Sequence, residues 1–479
     1  MSPLTPLAVA AGKVAGGLSR RLRLGGGTTL PGTIARRLAP GVLRDLSAAL
    51  PHGAVLLTGT NGKTTTSRML AEILAAAGEQ VLHNRAGANL IAGLTATAVG
   101  NADWRGRPRA SIGLFETDEA AVPQALAEIR PRLVVVHNLF RDQLDRYGEV
   151  DTVASTWRAA LADLPPEAHV VLNADDPAVA DLGAGLSAAV SYYGIDDPRH
   201  AAGAAAHIAD SQFCRRCGHR YIFTLAFYAH IGHYRCPSCG HSRPRPQVRL
   251  ARLELQGTAG SRLYLVYPGG AMEVDLPLPG LYNAANATAA VAAALALGVP
   301  PVAARAALER FSAAFGRIER VSAGPGGAPM LIALIKNPVG ATETVRMLVQ
   351  AVDGSAPGEG AAAPLSLPPL HLLIAINDRF ADGTDVSWLW DAEFEALAGR
   401  TAGAVVSGTR AEDMAVRLKY ADVPEPAILV EPDLSRAVDR ALAALPPGAT
   451  LYVLPTYTAM LELRDELARR GWVRQFWDQ

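Results

Sequence analysis

The stretch LLTGTNGKTTT, residues 56–66, constrains this chain more than any other. An apolar run ends in Gly59, then come Gly62, Lys63 and Thr64, and the amphipathic KTTTSRMLAEILAAAG follows, closed by Gly78. A buried strand, a glycine turn and a helix N-terminus in direct succession make a cradle in which backbone N–H groups favour an anion. The strict phosphate-loop pattern has a glycine where Leu57 stands, but the mechanism survives that departure. Lys63 offers a point charge to phosphate oxygens, and the Thr64 hydroxyl can reach a magnesium ion. The expected phosphate-binding residues are Thr58, Gly59, Thr60, Asn61, Gly62, Lys63, Thr64 and Thr65; an ordinary strand-to-helix turn is the alternative.

A magnesium–nucleotide site also needs a carboxylate at the end of another strand. LFETDEA supplies Glu116, Asp118 and Glu119. VVVHNLFRDQLDRYGE ends a strand with His137 and Asn138, followed by Asp142, Gln143, Asp145 and Arg146, and VLNADDP ends another with Asn173, Asp175 and Asp176. Short apolar strands alternate with helical segments such as AAVPQALAEI and VASTWRAALADL, which predicts a mostly parallel, doubly wound α/β sheet with its carboxyl strand ends on one edge. The 479 residues suggest two or three domains. Residues 1–50 read as an amphipathic or irregular lead-in broken at LGGGTTLPGT, 51–318 as the nucleotide-binding part, and 319–479 as a second α/β region. Within the last, residues 353–369 form a Pro/Ala/Gly-rich loop.

Lys plus Arg equals Asp plus Glu at 45 each, so no general basic field is available for nucleic acid. No apolar run is long enough to span a membrane, and Lys13 interrupts the apolar N-terminal stretch, which argues against a secretory signal. A cytoplasmic enzyme is the expectation.

The chain has four cysteines, Cys214, Cys217, Cys236 and Cys239. Two residues separate the members of each pair and 18 separate the pairs, the spacing of a zinc ribbon. Two disulfides are the alternative, disfavoured in a cytosolic chain. Four thiolates leave Zn²⁺ no open position, so the site is expected to be structural, with His219, His233 and His241 as bystanders. With all four thiols engaged, the chain has no cysteine to spare as a nucleophile.

GTNGKTTT, ETDEA, HNLFRDQLDRYGE, NADDP, GLYNAANATAA and IERV occur in the order seen in the Mur ligase superfamily, which the chain resembles over nearly its whole length. The four-cysteine insert, IKNPVGATE, NDRFADGTDVSWLWD and SGTRAEDMAVRLKYA are similar, more closely, to the Mur-ligase-like (MurT) subunits of lipid II isoglutaminyl synthase. The resemblance implies a Mur-ligase central ATPase domain with a zinc ribbon inserted at about 205–245, then a Rossmann-like C-terminal α/β domain. It implies ATP and Mg²⁺, with Lys63 on the phosphates and Thr64 and Glu116 on the metal. Asn138, Asn283, Asn286, Arg317 and Lys336 are candidates to hold nucleotide or developing phosphate charge, with helix capping the alternative for Asn283 and Asn286.

It further implies amidation of the D-glutamate α-carboxyl of lipid II through an acyl phosphate, at the inner face of the plasma membrane. The ammonia would come from a separate glutaminase subunit, GatD, in a heterodimer, and an aspartate of this chain would complete the partner's Cys–His pair. The candidates are Asp378, Asp382, Asp385 and Asp391, with Asp385 favoured, Asp391 second, and a loop-capping role the alternative. Trp388 and Trp390 would suit the interface. About 57 residues precede the phosphate loop, too few for the sugar-nucleotide domain of ordinary Mur ligases, which fits a lipid-linked substrate. Gln143 stands where many Mur ligases have a histidine serving a second metal. Two other readings stay open: a stand-alone Mur- or folylpolyglutamate-type ligase adding an amino acid, and a zinc-ribbon scaffold with a vestigial nucleotide site.

Overall fold

The computed structural model describes residues 2–21, 29–84, 88–141, 150–201, 210–257, 259–312, 317–324, 326–353 and 369–473. Asp142, Gln143, Asp145 and Arg146 lie outside the described residues, as does the Arg317 side chain. The chain opens with helices α1 (Thr5–Arg21), α2 (Leu30–Leu38) and α3 (Val42–Ala48). Strands and helices then alternate: β1 (Ala54–Thr58), α4 (Lys63–Ala76), β2 (Val81–His83), α5 (Ile91–Asn101), β3 (Ile112–Glu116), α6 (Val122–Ile129), β4 (Leu133–Val136), α7 (Val150–Ala162), β5 (His169–Asn173) and β6 (Ala189–Ile195). A hairpin, β7 (Ile222–Tyr228) and β8 (Ile231–Arg235), precedes β9 (Val248–Leu255), β10 (Ser261–Tyr267), β11 (Gly270–Leu276), α8 (Leu281–Ala296) and α9 (Pro301–Glu309). The remainder runs β12 (Arg317–Ala323), β13 (Ala328–Ala333), α10 (Pro338–Asp353), β14 (Leu370–Ala375), β15 (Thr401–Ser407), α11 (Ala411–Tyr420), β16 (Ile428–Val430), α12 (Leu434–Ala443), β17 (Leu451–Pro455) and α13 (Tyr457–Arg469).

The first sheet has the order β11-β10-β9-β6-β5-β4-β1-β3-β2, parallel from β2 to β9 and antiparallel through β10 and β11. AVLLT carries no polar residue before Thr58 because both faces of β1 are covered. Val55 and Leu57 pack with α4 and α8 on one side, while Leu56 packs with the α1–α3 and α5–α7 layer on the other. The second sheet, β12-β13-β17-β14-β15-β16, is parallel except for its edge strand β12.

Of the expected break LGGGTTLPGT, residues 24–28 lie outside the described residues, and the LPGT part is helical. Pro31 and Gly32 sit in the first turn of α2, where proline lacks no hydrogen bond it would otherwise make. A Cβ on Gly32 would stand 1.9 Å from the Ala92 carbonyl oxygen. The glycine is there because α2 and α5 touch at that point, and close packing overrides its low helix propensity.

Candidate active site

The register of the sheet brings three polar strand ends together: Leu57 of β1 lies beside Glu116 of β3, and Thr58 beside Val136 of β4. Between them the Gly59–Gly62 turn is pinned from below. The Thr60 N–H donates to the Asn138 carbonyl at 2.9 Å. The Asn138 amide holds both backbone groups of Asn61, at 2.8 and 3.0 Å. The Thr60 hydroxyl accepts from the Phe140 N–H at 3.0 Å. Gly59 (φ 140°) and Gly62 (φ 83°) adopt left-handed backbone, and a Cβ on Gly62 would meet the Asn286 Oδ1 at 2.1 Å. α4 starts without a side-chain cap, the arrangement that leaves first-turn N–H groups to a ligand.

Lys63 is buried, its Nζ donating to the Gly59 carbonyl at 2.5 Å and to Glu119 Oε2 at 3.0 Å. Burial pushes the Glu119 carboxyl up, but Lys63 and then Lys336 outweigh it and hold it below the usual range. Glu119 Oε1 is buried with no hydrogen-bond partner. The Thr64 hydroxyl donates to Glu116 Oε1 at 2.8 Å, and Ser67 reaches Oε2 at 3.4 Å. A hydroxyl and one carboxylate suit a magnesium that keeps water and phosphate oxygens as its other ligands. Asn84 fixes that carboxylate's strand end, exchanging two 2.9 Å bonds with the Glu116 backbone.

Over the loop lies a cleft of about 840 Å³, open to solvent, walled by both sheets' elements. Thr60, Asn61, Gly62 and Thr65 form its floor; Asn283 and Asn286 of α8, with His137, form one side; Lys336 and the start of α10 form the other. Asn337 closes the gap, donating to Asn61 Oδ1 at 2.9 Å while its Oδ1 caps Gly340 N at 2.8 Å. His137 is kept neutral, since burial lowers it to about 4, and its Nε2 donates to Asn286 Oδ1 at 2.6 Å. Gly280, not an asparagine, is the N-cap of α8; Asn283 instead donates to the Pro279 carbonyl at 2.7 Å. Glu343, also lining the cleft, is pushed up to about 7 by burial, with Arg346 at 2.9 Å opposing that shift.

Other expected residues stand elsewhere. Thr58 is buried under the loop, bonded to the Thr117 carbonyl at 3.0 Å. The NADDP acids are structural. Asp175 holds Ile195 N (2.7 Å) and Arg243 (2.6 Å), and Asp176 caps Ala178 N (2.9 Å) and holds Leu139 N (2.8 Å). Asp176 also faces His230 at 3.2 Å, in the β7–β8 turn, and His230 packs on Phe140 at 4.7 Å between centroids. Through that turn Tyr228 becomes part of the cleft wall. In the second region Asp378 is tied to Arg410 at 2.8 Å and Asp382 is buried against Thr458 N at 2.8 Å. Asp385 and Asp391 are exposed; Asp385 accepts from Ser387 N at 2.8 Å, starting the turn that carries Trp388 and the exposed Trp390.

The four cysteine sulfurs lie within 4.8 Å of one another, with none in a disulfide. Each pair is a tight knuckle: Cys214 N and Cys236 N bond the His219 and His241 carbonyls at 2.7 Å, and Gly218 and Gly240 (both φ 75°) complete the turns. Four converging thiols on two such knuckles fit a tetrahedral Zn²⁺. His241 Nδ1 is engaged by the Tyr221 hydroxyl at 2.7 Å, and His233 Nε2 by the Ile195 carbonyl at 2.7 Å. Elemental analysis of the reduced protein is expected to find one zinc per chain. Stripping it should lower the melting temperature, and weaken nucleotide binding about three- to tenfold because the hairpin carries Tyr228. Unchanged melting of the metal-free chain would contradict a structural zinc.

A phosphate loop, a strand-end carboxylate and a cleft roofed by a second α/β sheet together define a ligase of the Mur type. The family described as Mur ligase middle domain matches residues 57–294, and MurT ligase C-terminal matches residues 334–460. The fold is similar to a pseudomurein peptide ligase type C from Methanothermus fervidus (TM-score 0.62, 20% identity, 87% of this chain and 78% of that one). Two curated relatives are lipid II isoglutaminyl synthase (glutamine-hydrolyzing) subunits MurT. That of Streptococcus pneumoniae is 34% identical over 95% of each chain, and that of Staphylococcus aureus 32% identical over 92% of this chain and 93% of its own. The chain belongs to the MurT family of Mur ligases.

Proposed function

We propose that this chain is the ATP-using subunit of a lipid II isoglutaminyl synthase. The carrying observation is that the MurT likeness runs through both sheets, while the Lys63–Glu119 and Thr64–Glu116 pairs sit intact under the loop. The substrate is the D-glutamate α-carboxylate of lipid II. Its oxygen takes the γ-phosphoryl group of ATP and ADP leaves; ammonia then attacks the acyl carbon and phosphate leaves, giving the amide. The loop N–H groups and Lys63 hold phosphate oxygens, and phosphoryl transfer needs mostly such positioning. Thr64 and Glu116 would hold Mg²⁺, which supplies charge neutralisation. Lys336, from the opposite wall, adds positive charge where the transferred group passes. Asn283, Asn286 and Arg317 remain candidates for the nucleotide.

Ammonia is mostly protonated at neutral pH, so a local source is needed, and all four cysteines of this chain converge on one cluster that fits a zinc ion, away from the cleft. The relatives are subunits by name, so a partner subunit is expected here; we assign it as a GatD-type glutaminase. Asp385, with Asp391 second, is positioned at the surface, as a carboxylate completing a partner's Cys–His pair must be. Among the described residues no helix is long and apolar enough to cross a membrane.

The test is to supply ATP, lipid II and ammonium chloride and read the product by mass spectrometry. Conversion of a carboxyl to a primary amide supports the reading; addition of an amino acid would favour a conventional ligase. With the glutaminase present, Asp385→Asn should leave ammonia-driven turnover intact and lower glutamine-driven turnover about 10⁴-fold, the scale of losing such a carboxylate. Loss of both would put Asp385 in the ligase site instead.

A further inference from the structure

α1 is built with its large residues outward. Its inner face, Thr5, Ala8, Val9, Gly12, Gly16 and Ser19, is buried. Small residues there allow close approach; a Cβ on Gly12 would lie 2.8 Å from the Pro31 carbonyl oxygen of α2. The opposite face carries Leu7, Val14 and Leu18, which are 61, 62 and 56% exposed, with Leu4 just before the helix 50% exposed. With Ala11 these fall at the spacing of a single helical stripe. Lys13 is the one charged residue between Thr5 and Ser19. A helix apolar on both faces is expected to have both faces covered.

The surroundings say what covers the outer one. The first fifty residues hold seven Lys and Arg against one acid, Asp45, in a chain whose totals balance. Lys13 Nζ donates to the Gly100 carbonyl at 3.1 Å and lies 5.8 Å from the ring of Trp104, itself 60% exposed. Trp104 opens a loop with exposed Arg105, Arg107 and Arg109, three cations against one acid, Asp103, which accepts Arg105 N and Arg107 N at 2.8 and 2.9 Å. Exposed leucines framed by arginines and an interfacial tryptophan match an anionic bilayer surface. A generic protein surface supplies no such pairing of apolar depth with fixed negative charge.

We propose that the outer face of α1, with the Trp104–Arg109 loop, docks this protein on a membrane carrying anionic headgroups. The inference rests on the reading above, because a lipid-linked substrate stays in the bilayer and its enzyme must meet it there. α5, on which α1 and α2 rest, runs from beside Asn89, whose carbonyl takes the Asp118 N–H at 3.0 Å, to Asn101 at the opposite edge of the sheet, where the Trp104–Arg109 loop leads into β3.

The experiment is co-sedimentation of the zinc-loaded full chain with phosphatidylglycerol-containing vesicles and with pure phosphatidylcholine vesicles. Binding to the first, weakened by salt, is expected. Leu7→Ser/Val14→Ser should lower partitioning by about tenfold or more. Those side chains are exposed, so melting should not change. Parent protein left in the supernatant with both vesicles would overturn the proposal, as would equal binding by the variant. So would a lipid-free dimer that the variant dissolves, which would assign the face to a second copy. Amidation of a water-soluble, short-tailed lipid II analogue keeps the two readings apart. Parent and variant should turn it over equally; failure of the parent tells against the ligase reading, while the vesicles alone decide the docking.

Discussion

Lys63→Ala is expected to abolish amidation whether ammonium chloride or glutamine supplies the nitrogen, a loss of about 10³-fold or more in a steady-state assay. Lys63 is buried under the loop with Glu119, and in the proposed reaction its charge meets the phosphate oxygens. The substitution also leaves Glu119 buried beside only the more distant field of Lys336, with Oε1 already lacking a partner. Removing one member of such a pair costs about 3–5 kcal/mol, so lost activity alone could be lost fold. Lys63→Ala/Glu119→Gln separates the two: the neutral amide needs no cation, so melting should recover while activity does not. Turnover near the parent rate in either variant would remove Lys63 from the mechanism.

Gly62→Ala is expected to be the most damaging small change in the loop. The residue sits at φ 83°, where alanine is strained by about 1 kcal/mol. Its methyl would meet Asn286 Oδ1 at 2.1 Å and His137 Nε2 at 2.7 Å, the two atoms that now bond each other at 2.6 Å. Breaking that buried pair adds about 1–3 kcal/mol. The sum, about 2–4 kcal/mol, should appear in denaturant unfolding together with loss of nucleotide affinity, since the same three residues line the cleft. Adding Asn286→Ala should relieve the clash and return part of the stability without returning affinity. A Gly62→Ala protein that melts and binds like the parent would mean the loop is not held as described.

These residues were legible in the sequence to different degrees. The β1–loop–α4 unit was plain because strand pattern, glycine spacing and helix pattern agree over consecutive residues. Glu116 followed from the rule that ligands gather at carboxyl strand ends, and the cysteine knuckles from spacing alone. Asn84 and Asn337 escape sequence reading because their partners, the Glu116 backbone and the Asn61 side chain, lie 32 and 276 residues away in the chain. A signal was present: QVLHN and VVVHN end two strands with the same His-Asn, and in each the asparagine clamps a neighbouring backbone. Tyr228 belongs to an insert read for its cysteines, and the cleft wall it makes exists only once the hairpin folds against Phe140. The NADDP acids misled in the other direction, since a strand-end carboxylate can equally be consumed by capping its own helix. Gly32 looked like a helix breaker because propensity is local, whereas the α2–α5 contact that needs it is not.

The proposed amidation depends on the glycine loop gripping a nucleoside triphosphate. Calorimetric titration of the zinc-loaded, magnesium-supplemented chain with ATP tests that most directly. One site per chain is predicted, saturable and lost in Lys63→Ala/Glu119→Gln. An intact, well-melting protein that takes up no ATP would contradict it.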